Sequence, residues 1–307
     1  TAFFEKTAKF LHYRAEVAIV TSIEHDHVDI YPTLDAYHDA FRRFVADIPS
    51  TGLIVANAAD PVVVDLVGGA ARADIAWYAL EGEPNHGVAP RWLGGLAASD
   101  GRGTSFDLYA GGVAAGRFVV PLAGRHNVSN AIAAIGAVVE GYGVKLHEIS
   151  RPLSTFAGVK RRQEVLGEPR GITVIDDFAH HPTAVRETLA ALRARYPGRR
   201  LIAVFEPRSA TACRAMHQAR YAESFDAADE VLLAPVGRKG IADETLDTAR
   251  LATELTARGK AAAAYSDVDS IVLDLTARAR TGDVIALLSN GAFGGIHGRL
   301  LRALSDG

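Results

Sequence analysis

The sequence predicts an α/β protein of two domains, the second a Rossmann-like, doubly wound parallel sheet. Three observations predict it. Beyond about residue 156, short apolar runs alternate with helical stretches, the pattern of a parallel sheet. Ahead of that point come a β-branched run, a capped helix and a second short strand, which mark another α/β core. The 307 residues allow two domains of ordinary size.

Residues 17–23 are apolar and β-branched and read as a buried strand. The run ends in Glu24-His25-Asp26-His27. Thr33 can cap a helix through Phe41, Phe44 and Val45 to Pro49, and residues 53–56 form a second strand. From about 73 to 122 the pattern alternates. Thr104-Ser105-Phe106-Asp107-Leu108-Tyr109 and Phe118-Val119-Val120 flank a Gly111-Gly112 turn, which predicts a small antiparallel sheet. A helix then carries Val128, Ile132, Ile135 and Val139 on one face. In the second half, strands are expected at 172–175, 201–205, 230–234, 261–265 and 284–288. Helices are expected at about 183–195, 212–226, 245–258 and 268–279. The expected domains are residues 1–156 and 157–307, divided near Phe156-Ala157-Gly158.

Composition excludes several function classes. Lys and Arg number 33 against 36 Asp and Glu, a net charge of −3 that argues against nucleic acid or a membrane surface as partner. Cys213 is the only cysteine, so no internal disulfide can form and a cytoplasmic location is expected. No apolar run reaches the roughly 18 residues needed to cross a bilayer. The chain opens Thr1-Ala2-Phe3-Phe4-Glu5-Lys6 without an initiator methionine or a signal peptide, and is expected to begin inside a larger protein.

Chemically capable residues cluster at strand ends, where parallel sheets bind ligands. Glu24-His25-Asp26-His27-Val28-Asp29 can hold a divalent ion beside a phosphate or form an ordinary polar loop; it lacks zinc spacing. In Gly124-Arg125-His126-Asn127-Val128-Ser129-Asn130, His126 shares a helix face with Asn130, as does Asn127. Amide side chains suit the N6/N7 edge of adenine, and helix capping by Asn127 is the competing use. Lys160-Arg161-Arg162 can clamp phosphates or stand as a solvated charge run. Asp176-Asp177-Phe178-Ala179-His180-His181-Pro182 places two carboxylates and two imidazoles in six residues, with Pro182 opening a helix. Glu206-Pro207-Arg208-Ser209 and Ser289-Asn290-Gly291 end two further strands. The glycines of Gly291-Ala292-Phe293-Gly294-Gly295-Ile296-His297 permit close backbone approach but are not a Walker A loop.

In this order these motifs resemble the Mur ligase family over nearly the whole chain, and most closely its tripeptide-ligating branch of peptidoglycan recycling. The opening residues with Phe10-Leu11-His12-Tyr13-Arg14 share in the resemblance, as do the Asp176, Glu206 and Ser289 segments. It implies an ATP-dependent amide-bond ligase that joins L-Ala-γ-D-Glu-meso-diaminopimelate to UDP-N-acetylmuramate through an acyl phosphate. ATP and Mg2+ would be its cofactors, and UDP-N-acetylmuramate and the cell-wall tripeptide its partners. His27 would be a magnesium ligand, while His126, Asn127 and Asn130 would frame adenine. Arg162 would touch the nucleotide phosphates, Asp177 the ribose and His180 the phosphate region, with Arg162 and His180 in catalytic roles. Arg208 and Ser209 would lie on the peptide side. Phe41 stands where some relatives carry a carbamylated lysine, which fits the muramate-side branch.

Family members also carry a UDP-binding domain and a Gly-x-x-Gly-Lys-Thr loop, and these residues contain neither. The first domain is therefore expected to be an N-terminally truncated central ATPase-type domain, and the fragment to be inactive alone. A UDP-N-acetylmuramate–L-alanine ligase and a non-catalytic nucleotide-binding module are the alternatives, because fold does not fix function. A dinucleotide oxidoreductase is disfavoured, since the first strand of the second domain leads to Asp176-Asp177 and not to G-x-G-x-x-G.

Overall fold

Strands form where apolar residues run without interruption, and helices form where a cap precedes a one-sided apolar pattern. The computed structural model describes residues 5–100, 103–237 and 245–306. The first four residues of the opening motif lie outside that set. The chain divides into two units, Thr1–Ala157 and Gly158–Gly307. Among the described residues no helix is long and apolar enough to cross a membrane.

The first unit is built on one six-stranded sheet. Its strands β1 (Val17–Val20), β2 (Leu53–Asn57), β3 (Asp74–Leu80), β4 (Trp92–Asp100), β5 (Gly103–Ala110) and β6 (Val113–Val120) lie side by side in chain order. The first four are parallel and the last two antiparallel. The antiparallel part is thus smaller than the alternation at 73–122 suggests, and it continues the main sheet. The reason is α2 (Pro61–Ala70), which carries the chain back across the sheet and makes β3 parallel to β2. Helix α1 (Leu34–Asp47) begins as expected, with the Thr33 hydroxyl accepting from Ala36 N–H at 3.2 Å. Val45 and Ile48, at and just beyond its end, pack with Val63, Leu66 and Val67 of α2 against Val20, Ile54 and Ala56. Helix α3 (Arg125–Tyr142) places Val128, Ile132 and Ile135 in a second cluster with Val55, Ala76, Tyr78 and Trp92. A short helix, α4 (Leu146–Ser154), ends the unit.

The second unit alternates as its sequence predicts. Its elements are β7 (Glu164–Gly167), β8 (Thr173–Asp177), α5 (Pro182–Arg195), β9 (Leu201–Phe205), α6 (Gln218–Ser224) and β10 (Glu230–Leu233). They continue as α7 (Thr248–Ala257), β11 (Ala261–Ala264), α8 (Val268–Arg278), β12 (Val284–Leu288) and α9 (Ile296–Asp306). The sheet order is β11-β10-β9-β12-β8-β7, parallel except for β7. Every residue of β9 and β12 is buried. Each fully buried aliphatic side chain there stabilises the unit by about 1.5–3 kcal/mol, which is why these two runs occupy the sheet centre.

Helices α5, α6 and α7 contribute Leu189, Tyr221 and Leu251 to one core, while α8 and α9 contribute Ile271, Leu275 and Leu300 to the other. The chain runs outward from β9 to β11, then returns along the opposite face to insert β12 between β8 and β9. This reversal leaves a crevice at the carboxyl ends of β8, β12 and β9, where doubly wound sheets bind ligands. The helix expected at 212–226 is shorter than its pattern suggests, because the chain first makes turns at 209–217 held by side chains of the β9 loop.

Candidate active site

The crevice of the second unit is lined by residues that brace one another. Asp177, at the end of β8, is 2% exposed. Its Oδ2 accepts from Gln163 N–H at 2.8 Å, and its Oδ1 from Ala179 N–H at 2.7 Å. Burial pushes the Asp177 carboxyl above the usual carboxylate range, opposed by those two N–H groups and by the Arg162 charge. Neighbouring Asp176 is also buried and binds Arg161 Nε at 3.1 Å, with His297 Nε2 on its other oxygen at 3.1 Å. The same Arg161 donates to the carbonyls of Ser289 at 2.6 Å and Gly291 at 2.9 Å. It therefore ties the ends of β8 and β12 together.

The segment before β7 is shaped to allow this. Arg161 and Gln163 both adopt left-handed backbone angles, φ 61° and φ 50°, which non-glycine residues rarely take. The Arg161 N–H donates to Glu164 Oε2 at 2.7 Å, and its carbonyl accepts from Phe178 N–H at 2.8 Å. Between the two left-handed residues, Arg162 is exposed, with its guanidinium 5.2 Å from the Phe178 ring centre. His180 donates from Nδ1 to the Phe178 carbonyl at 2.9 Å, and its own carbonyl accepts from the Tyr221 hydroxyl at 2.5 Å. The Glu206 carboxylate accepts from the Ser289 hydroxyl, which itself accepts from Gly291 N–H at 2.9 Å. Arg208 stands 3.7 Å from Glu206.

In the first unit the strand-end loops are held differently. Asp60 caps α2 by accepting from Val62 and Val63 N–H at 2.9 and 3.1 Å, and its other oxygen accepts from Ile23 N–H at 3.2 Å. Asn57 donates to the Thr21 carbonyl at 2.9 Å. These contacts hold the exit of β1. Beyond it His27 is exposed, at φ 54°, and its carbonyl accepts from Ile30 and Tyr31 N–H. Its side chain lines a cavity of about 360 Å³ with Phe10, Tyr31, Tyr37 and Phe41. Burial raises the Tyr37 phenol above its usual range, and the charges of Asp26 and Glu24 add to this. At the start of α3, Gly124 is the N-cap, and Asn127 donates from its side chain to the Ala123 carbonyl at 2.7 Å. His126 is half-buried and Asn130 exposed.

Two family models match the chain: the Mur ligase middle domain over residues 4–138 and the Mur ligase glutamate ligase domain over residues 161–291. The chain belongs to the Mur ligase family. It is 33% identical over 99% of its length to the UDP-N-acetylmuramate–L-alanyl-γ-D-glutamyl-meso-2,6-diaminoheptandioate ligase of Haemophilus influenzae. It is 36% identical over 92% of its length to the UDP-N-acetylmuramate–L-alanine ligase of a Roseiflexus species. The crystal structure of a murein peptide ligase from Psychrobacter arcticus covers all of it, at 34% identity and a TM-score of 0.68. The chain spans 63%, 62% and 61% of those three proteins respectively.

For this Mur ligase chain the expected residues divide into two sets. In the second unit, Arg162, Asp177, His180, Arg208 and Ser209 all fall on the loops at the carboxyl ends of β8 and β9 or on the turn beside them. Asp177 braces the loop, each of its oxygens accepting a backbone N–H group. Ser209 likewise uses its hydroxyl locally, accepting from Ala212 N–H at 2.9 Å. In the first unit, His27 lies in the β1 exit loop, and His126, Asn127 and Asn130 lie on the first turns of α3. Asn127 does not cap the helix; it anchors the preceding strand exit instead.

Among the described residues, no three His, Cys, Asp or Glu groups converge as a metal cluster. Magnesium needs none, since it keeps waters and phosphate oxygens and takes one or two protein groups. The oxygen donors Glu24 and Asp26 on the loop of His27 fit that requirement. Sequence reasoning missed Asp60, and it quoted Arg161 and His297 within motifs without foreseeing that both would bind Asp176. Two adjacent arginines gave no signal that one would turn inward and the other outward.

Proposed function

We propose that these domains belong to an ATP-dependent ligase that joins L-Ala-γ-D-Glu-meso-diaminopimelate to UDP-N-acetylmuramate. The observation that carries this reading is Arg208, half-exposed at the carboxyl end of β9 beside buried Glu206. A guanidinium fork suits an acceptor rich in carboxylates. The Haemophilus influenzae relative, whose name specifies that acceptor, supports it.

The muramate carboxylate would attack the γ-phosphorus of ATP, giving an acyl phosphate and ADP. The α-amine of the tripeptide would then attack the acyl carbon, lose a proton and expel phosphate, leaving an amide. Exposed Arg162 and neighbouring His180 would offset the charge of the phosphoryl group. His126 and Asn130 would face the adenine, with Asn127 shaping their turn. Asp177 and Arg161 would hold the loop that presents Arg162. Magnesium, when bound, would lower the repulsion between carboxylate and phosphates, and His27 with Glu24 or Asp26 would hold it.

A second reading, ligation of L-alanine, is favoured by the Roseiflexus relative. The deciding experiment supplies the full-length gene product with ATP, UDP-N-acetylmuramate and either tripeptide or L-alanine. Amide formation with tripeptide in strong preference is the expected result. Preference for L-alanine would establish the second reading, and no ADP release with either acceptor would leave a non-catalytic nucleotide-binding module.

A further inference from the structure

The Arg208 side chain lies against two glycines from different loops. A Cβ at Gly291 would stand 2.1 Å from Arg208 Cδ, 2.4 Å from Nε and 2.9 Å from Cζ. A Cβ at Gly237 would stand 3.1 Å from Arg208 Cγ. Neither glycine has a left-handed φ, so their backbones would accept any residue. The arginine stem fills the space that a side chain at Gly291 would take and leaves a tight fit at Gly237. Gly291 is also fixed at both of its polar groups, its N–H on the Ser289 hydroxyl and its carbonyl under Arg161. Glu206, 6% exposed, faces Arg208 Nη1, while the arginine side chain stays 44% exposed.

We propose that Gly237 and Gly291 are specificity-determining positions, forming a seat that presets Arg208 as a fork for a carboxylate of an acidic peptide acceptor. The inference rests on the ligase reading above and names how that acceptor is selected. A long side chain held in one arrangement loses less freedom on binding, so a seated arginine binds a carboxylate more tightly than a mobile one. The buried Glu206 carboxylate stands 3.7 Å from one edge of the guanidinium, and the exposed remainder is available to the ligand.

The test is Gly291→Ala in the full-length gene product. The added methyl displaces only a flexible side chain, so the unfolding temperature and the KM for ATP stay at wild-type values. The KM for tripeptide rises on the order of tenfold, as for loss of one charge-assisted contact. Adding Gly291→Ala to Arg208→Ala causes no further loss, because the seat acts only through Arg208. A second readout needs no turnover. The Nε–H resonance of Arg208 is a single shifted signal in the wild type and moves to the position of free arginine in Gly291→Ala. If Arg208→Ala raises the tripeptide KM and Gly291→Ala does not, the seat is overturned and the ligase reading stands. A free-arginine signal in the wild type overturns the seat whatever the enzyme ligates. No tripeptide-dependent turnover overturns the ligase reading and with it the acceptor named here.

Discussion

The two units end their parallel strands in opposite ways. In the second, Asp176, Asp177, Glu206 and Ser289 are buried and joined to Arg161, His297 and backbone N–H groups, so the protein itself completes the crevice. In the first, the exit of β1 is braced by Asp60 and Asn57, but His27 beyond the brace is exposed. The difference teaches where each unit keeps its stability. A buried carboxylate that accepts several N–H groups is costly to remove, whereas an exposed loop side chain costs the fold almost nothing.

The largest expected break in this contrast is Asp177→Ala. It leaves the N–H groups of Gln163 and Ala179 without their acceptor and should destabilise the second unit by about 2–4 kcal/mol. Urea unfolding, with hydrogen exchange read over residues 158–307, measures it. The loss should also depend on pH. A carboxyl whose native pKa is raised holds its proton more tightly in the native state than in the unfolded one. Its contribution is fully present below the unfolded value of about 3.9 and is lost as pH rises through the raised native value. The stability gap between wild type and Asp177→Ala should therefore narrow as pH rises from about 4. A gap that widens instead would mean that the N–H groups outweigh burial.

The middle effect belongs to the first unit. Asp60→Ala removes the cap of α2 and the bond to Ile23, and should cost about 1–2 kcal/mol. Thermal unfolding checks it, and a loss as large as that of Asp177→Ala would erase the contrast. The smallest effect on the fold is His27→Ala, expected within about 0.5 kcal/mol of wild type. It should nevertheless shift the magnesium concentration that gives half-maximal turnover in the full-length gene product. Wild-type turnover across the magnesium titration would remove His27 from the metal site.

The same contrast explains what was legible in the sequence. Leu201–Phe205 and Val284–Leu288 read as central strands because unbroken apolar runs can only be buried on both faces. β7 was not legible, since Glu164–Gly167 is a half-exposed edge strand with no apolar run. α2 was missed because Val62, Val63 and Val64 suit a strand as well as a helix, and only Asp60 with Pro61 settles the matter. The place of Arg208 at the end of β9 was legible. Which of Arg161 and Arg162 turns inward was not, because it depends on left-handed angles at 161 and 163. Those angles are set by Glu164, Asp177 and Phe178, whose spatial positions no local pattern encodes. The bracing role of Asp177 was not legible for a related reason. A carboxylate at a strand end looks the same in sequence whether it faces a ligand or its own backbone.

The position of β12 has a consequence for how the protein is made. It is the last of the described strands, yet it sits between β8 and β9 and hydrogen-bonds to both. Until the ribosome has released residues 284–288, those two strands have no partner on their inner edges. The pairing spans more than 100 residues of sequence, counted from β8 at 173–177 to β12 at 284–288, and such distant contacts close slowly. Arrival of β12 also delivers Ser289, whose N–H donates to the Asp177 carbonyl at 3.1 Å and whose hydroxyl reaches Glu206. Core and crevice are thus finished by the same late event. A ribosome stalled before residue 284 would hold the inner edges of β8 and β9 open, exposed to aggregation and to chaperones.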